Sequence, residues 1–169
     1  MLMTLKNRQV LDLAEGIVRI DKMSIENSSA IFNYTLIMNE DAVRTKAEAI
    51  IGMQVPSKDY MKYEEDRISI VDKYSDKDED DKVITVDSNP NWVKVADDKT
   101  SDFNLEISKL AKTYKDTLDK RNKDLEDFKN VLDDEVEMDI EIVKLADIPA
   151  EVGRDRQLMR FIMTMIKKI

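Results

Sequence analysis

The sequence predicts a mainly α protein of the α+β class. The expected architecture is a long antiparallel helical pair with flanking helices and a small antiparallel sheet, built from a hairpin over residues 82–95 and a strand over 135–143. Three observations predict it. The chain is 37% charged yet holds only 3 Gly and 3 Pro, the composition of long amphipathic helices with few turns. Apolar residues recur at helical spacing along most of its length, and in two places the period switches to two.

A first helix is expected over 5–20, capped by Thr4, with Val10, Leu13, Ala14, Ile17 and Val18 on its apolar side. Ser24 or Asn27 starts a second, longer helix that runs to about Gln54 and ends before Pro56. It carries two neighbouring apolar stripes, Ile31, Tyr34 and Met38 beside Phe32, Leu36, Val43, Ala47 and Ile50, and so wide a face predicts neighbours on two sides. Ser57 caps a third helix, about 58–75, anchored by Tyr60, Met61, Tyr63, Ile68, Val71 and Tyr74. Two β-branched runs, 82–86 and 92–95, flank Asp87-Ser-Asn-Pro-Asn91 and read as a hairpin with Pro90 in the turn.

Ser101 caps a fourth helix reaching about Leu132, roughly 45 Å long and suited to pair with the second. In 135–143, Val136, Met138, Ile140 and Ile142 alternate with Glu135, Glu137, Asp139 and Glu141, the pattern of a half-buried strand. A connector with Pro149 and Gly153 leads to a last helix, 155–168. Residues 1–153 are expected as one α+β domain, and 154–169 as a basic, Met-rich amphipathic appendage.

Composition excludes much chemistry. The chain has no Cys and no His, which removes disulfides, thiol nucleophiles, Ser-His triads, the usual zinc sites and imidazole acid/base work. Gly16, Gly52 and Gly153 stand alone, so no phosphate-cradling loop occurs. The acidic clusters Glu64-Glu65-Asp66 and Asp133-Asp134-Glu135 read as helix-end charge rather than carboxylate catalysis. No catalytic residue, cofactor or metal ligand is assigned, and an enzyme is not expected. No apolar run is long enough to span a membrane, and Lys6, Arg8 and Asp12 interrupt the first segment, so a cytoplasmic protein is expected.

The net charge of −9 is unevenly placed. Residues 1–63 balance, 64–153 carry 27 acidic against 14 basic side chains, and 154–169 carry five basic and one acidic. An acidic middle repels nucleic acid and attracts basic protein surfaces. Within Leu132–Glu141 there are six acids and no base. Alternate strand residues lie about 6.7 Å apart, close to the spacing of successive phosphates on a nucleic-acid strand. Glu135, Glu137, Asp139 and Glu141, extended by Asp133 and Asp134, are therefore the candidate partner-binding ridge; the plainer alternative is a wet strand face. Leu158, Phe161, Ile162 and Met165 on the Met-rich terminal helix form a second candidate docking surface, with a membrane-surface helix and a core helix as the alternatives. Trp92 is expected to close the hairpin against the core.

The run Asp76–Asp87 places Asp76, Asp78 and Asp80 at positions 1, 3 and 5 of a calcium loop. Asp81 stands where such a loop has Gly, and Asp87 where it has a bidentate Glu. A solvated acidic loop without specific calcium binding is the expectation.

Leu5-Lys6-Asn7, then Ile70-Val71-Asp72-Lys73-Tyr74 with Lys77-Asp78-Glu79-Asp80-Asp81-Lys82, then Val136 to Leu145, occur in an order that resembles a group of small phage-encoded proteins with no assigned activity. The likeness departs in the long second helix and the Met-rich ending. It implies a phage origin and no catalytic residues. With the acidic surface, it leads to the expectation of a phage accessory protein in the host cytoplasm that binds and inhibits a host protein with a basic surface. The candidate target is a nucleic-acid-handling defence complex, of the kind anti-CRISPR proteins block, with no direct contact to nucleic acid. The alternative is a virion or assembly component that docks on other phage proteins through helical surfaces.

Overall fold

The computed structural model describes residues 1–26, 28–86 and 89–167, with the backbone alone at 86 and 89–92. Its elements are β1 (Leu2–Lys6), α1 (Asn7–Asp21), α2 (Ala30–Gly52), α3 (Lys58–Tyr74), β2 (Thr85–Val86), β3 (Asn89–Val93), α4 (Thr100–Thr113), α5 (Lys115–Val131), β4 (Glu135–Asp139), α6 (Ala150–Arg154) and α7 (Arg156–Phe161). The class is as expected, mainly α with small antiparallel sheets. The chain forms two compact units, one of residues 1–55 and 126–169, the other of residues 56–125. Residues 154–167 thus belong to the first unit, and the expected boundary at 153/154 is not where the chain divides.

In the first unit α2 packs on α1, and α7 packs on the opposite flank of α1. Leu13, Ile17, Phe32, Val43, Leu158 and Ile162 are among the buried side chains that join them. Gly16 lets α7 approach closely: a Cβ there would sit 2.8 Å from Ile162 Cγ2 and 2.9 Å from Phe161 Cβ.

A strand forms over Glu135–Asp139 of the expected 135–143, but its partner is not the 82–95 hairpin. β4 pairs antiparallel with β1, with Leu5 opposite Val136 and Met3 opposite Met138 on the inner face. Leu5 and Lys6 were expected as the start of a helix capped by Thr4; they are extended instead, because Met3 and Leu5 cover Met138 and Val136, a pairing that only tertiary contact supplies. No side-chain cap is needed at α1. The free N–H groups of Asn7 and Arg8 donate to the carbonyls of Asp134 and Leu132 at 2.9 and 3.1 Å. Beyond β4 the chain leaves β1, and Val143 bridges in parallel to Ile166.

The second stripe of α2, Phe32 to Ile50, is core as expected. The first is not covered: Ile31, Tyr34 and Met38 are exposed. Ser29, rather than Ser24 or Asn27, caps this helix, accepting from the Phe32 N–H at 3.1 Å; Asn27 lies outside the described residues.

In the second unit α3 packs on α4. Ser57 caps α3 as expected, accepting from the Tyr60 N–H at 3.2 Å. The expected fourth helix is two, α4 and α5, separated at Tyr114 (φ −102°, ψ 20°). The helical pairs therefore form within each unit between sequence neighbours, and the long pair expected from 24–54 and 101–132 is divided between units. Among the described residues of this unit no apolar side chain is fully buried; Met61 and Ile68, expected as anchors, are exposed. Ring contacts join its helices instead, Tyr63 to Tyr114 at 5.6 Å and Tyr74 to Phe103 at 6.1 Å. The Tyr114 hydroxyl donates to Asp66 at 2.8 Å, and Lys73 and Tyr74 both donate to Glu106, at 2.7 and 2.8 Å.

The hairpin is β2–β3. Pro90 lies in β3 rather than in the turn, which a two-stranded sheet tolerates because each strand keeps a free edge. Asp87 and Ser88, expected in the turn, and the Trp92 side chain lie outside the described residues. Among the described residues no helix is long and apolar enough to cross a membrane.

Candidate functional site

β4 presents Glu135, Glu137 and Asp139 outward while Val136 and Met138 face inward. The candidate ridge is thus assembled on one face, and Glu141 continues it as an exposed residue. Its outward neighbours on β1 are Lys6 opposite Glu135, Thr4 opposite Glu137 and Leu2 opposite Asp139.

The six acids divide into two groups. Asp133 accepts from Arg8 at 2.7 Å and from Lys6 at 3.3 Å, and Asp139 pairs with the Met1 amino group. The carbonyls of Leu132 and Asp134, on either side of Asp133, receive the first N–H groups of α1, where negative charge also favours the helix dipole. Contacts within the chain thus account for the position of Asp133. Glu135, Glu137, Glu141 and Asp134 have no ion pair among the described residues.

Asn39, which sequence reasoning missed, holds the end of the ridge. It is wholly buried on α2, donates to the Glu141 carbonyl at 2.9 Å and accepts from the Glu141 N–H at 2.8 Å. A polar residue at a core position of the second stripe was the signal available, since a buried amide demands partners.

The second candidate surface is corrected. Leu158, Ile162 and Met165 are fully buried in the first unit's core. Phe161 is half-buried with the Arg19 guanidinium 5.0 Å from its ring centre. The expected single helix 155–168 is α7 followed by a 3₁₀ turn, Met163–Met165, and this bend folds the apolar side onto α1. Lys168 lies outside the described residues.

A cleft of about 950 Å³ lies beside β1, walled by Met3, Ile142, Phe161 and Ile166, with Lys144 and Arg160 at its edge. The Thr164 hydroxyl there is buried and has no hydrogen-bond partner among the described residues. Asp12, also lining it, has its carboxyl pushed above the ordinary range by partial burial first and by the nearby Glu15 second, against the opposing pull of Arg8. Carboxylate, ammonium, guanidinium and hydroxyl groups line this cleft, with neither thiol nor imidazole.

The acidic run is a folded turn. Asp78 N–H donates to the Lys82 carbonyl at 2.9 Å, and the Asp78 carboxylate accepts from the N–H groups of Asp80 and Lys82, each at 2.9 Å. Asp81 takes φ 63°, the conformation that Gly would supply most easily. Lys77 and Lys82 pair with Asp81 and Asp80. Among the described residues no group of three acidic side chains is placed to hold a metal ion, and Asp87 lies outside them.

No protein family, curated protein or solved structure matches the chain.

Proposed function

We propose that the chain is a non-enzymatic phage accessory protein that binds a host protein and inhibits it, using the outer face of β4 against a basic surface. The observation that carries this reading is the register of the β1–β4 pair. It turns three successive acids outward on one side while their alternate residues are held in the core. Single-sign packing costs stability through self-repulsion, and an attractive role for the field explains it best. Glu135, Glu137 and Glu141 are the contact residues, because Asp133 and Asp139 are already paired within the chain. A nucleic-acid-handling complex with a basic groove is the partner class that such a row fits, and nucleic acid itself is repelled.

The test starts from partners copurified with the tagged protein from infected cells and identified. Each is then measured against the wild type and Glu135→Gln/Glu137→Gln/Glu141→Gln over a salt series. Wild-type association slows steeply with salt, and the triple variant associates more slowly at low salt with little change in dissociation. Association of the variant at the wild-type rate in low salt refutes the ridge. A second reading, a virion or assembly component docking through helices, is favoured by the exposed stripe Ile31, Tyr34 and Met38 on α2. It requires assembly that ignores salt and fails on Ile31→Ser/Met38→Ser.

A further inference from the structure

α1 and α2 leave a groove of about 550 Å³ between them, lined by residues of these two helices and none of β4. Two alanines make it: Ala14 on α1 and Ala47 on α2 both line the gap and fill little of it. Leu11 and Val43 line it too, and Val18 and Ile51 are wall residues that stand 48% and 56% exposed. Along α2 the lining recurs from Glu40 to Ile51 at spacings of three and four residues, about three helical turns. Two helices with an apolar seam of this length offer the seat that a third helix takes in a bundle.

The rim selects the occupant. Glu15, Glu40 and Glu48 border the groove against one cation, Arg44, which is already shared between Glu40 at 3.9 Å and Asp41 at 3.3 Å. Glu15 is paired with Arg19, and Glu48 has no ion pair among the described residues. A second copy of the same face would bring like charges together, and an anionic lipid surface would meet the same repulsion. The chain's own basic segment cannot serve, since Leu158, Ile162 and Met165 are buried elsewhere.

We infer that the α1–α2 groove is a docking site for a basic amphipathic helix of a partner protein, whose aliphatic side chains fill the space over Ala14 and Ala47 and whose Lys or Arg residues meet Glu48, Glu40 and Glu15. The site is separate from the β4 ridge and stands or falls independently of it.

The probe is a 14-residue Leu/Lys peptide with Leu at helical spacing, and a Leu/Glu peptide of the same pattern, read by fluorescence anisotropy on the full chain. The Leu/Lys peptide binds one to one, and the Leu/Glu peptide binds at least about tenfold more weakly. Val18→Ser/Ile51→Ser, at exposed positions, weakens the Leu/Lys peptide about tenfold through lost apolar contact, with circular dichroism unchanged. Glu40→Gln/Glu48→Gln weakens it several-fold and flattens its salt dependence. Ile31→Ser/Met38→Ser and the β4 triple variant bind as wild type. The inference is overturned if the groove variants bind like wild type, if the β4 variant alone abolishes binding, or if Val18→Ser/Ile51→Ser dissociates a dimer of the chain.

Discussion

Replacing Asn39 with Ala removes both hydrogen bonds that tie α2 to the backbone of Glu141. Asn39 is 0% exposed, so no water reaches its side chain, while the Glu141 peptide groups are partly buried. Each peptide group left without a partner costs about 1–3 kcal/mol, toward the lower end where water gains access, so the pair costs roughly 2–4 kcal/mol. For a unit of this size that is a fall in Tm of about 10–25 °C. Asn39→Asp separates hydrogen bonding from packing. Its buried carboxyl is held above its unfolded value, so its favourable contribution is present below the unfolded pKa and is lost as pH rises through the folded one. At acid pH the protonated carboxyl donates to and accepts from Glu141 as the amide did, and Asn39→Asp approaches wild type; at neutral pH it falls to the level of Asn39→Ala or below. Calorimetry is the assay, because the one Trp, Trp92, lies in the second unit rather than the first. Amide exchange at Glu141 gives the local readout. A Tm for Asn39→Ala within about 3 °C of wild type, with the Glu141 amide equally protected, refutes the reasoning.

Gly16→Ala gains helix propensity but forces Ile162 and Phe161 to move from contacts of 2.8 and 2.9 Å; a net loss of about 1–3 kcal/mol in denaturant titration is expected. At Asp81, held at φ 63°, Gly raises and Val lowers the stability of the second unit, each by about 1 kcal/mol, followed by Trp92 fluorescence. The same fluorescence shows stability falling at both ends of the pH range. Glu106 is held below its ordinary 4.5 by hydrogen bonds from Lys73 and then Tyr74, so its contribution is present above about 4.5 and lost as pH falls through the lower folded value. Tyr114 is held above its ordinary 10.0 by its hydrogen bond to Asp66, so its contribution is present below about 10 and lost as pH rises through the higher folded value; Tyr114→Phe removes that alkaline loss.

Local periodicity was enough to find α1, α2, α3 and the strand at 135. Burying Val10, Leu13 and Ile17 on one side, or Val136 and Met138 away from Glu135 and Glu137, depends only on the geometry of one element. The alternation alone put the candidate acids on one face. The Ser57 cap and the paucity of turns were legible for the same reason: each is a short-range preference.

Pairing was not legible, because it depends on which distant segment completes an unfinished surface. Nothing in Leu2–Lys6 announces that it covers Val136 and Met138, and nothing in Leu132-Asp133-Asp134 announces that the carbonyls of Leu132 and Asp134 and the carboxylate of Asp133 meet the start of α1. The terminal helix shows the limit most plainly. Its stripe Leu158, Ile162 and Met165 has the pattern of a docking face, and the pattern is the same whether the partner is another protein or α1. Amphipathicity specifies that a face must be covered, while tertiary contact decides by what. The sequence by itself therefore determined the class, the helices α1 to α3, the strand at 135 and the sign of the net charge. The tertiary structure decided that β4 belongs with β1, that Asp133 and Asp139 are paired within the chain, and that Glu135, Glu137 and Glu141 are left to face outward.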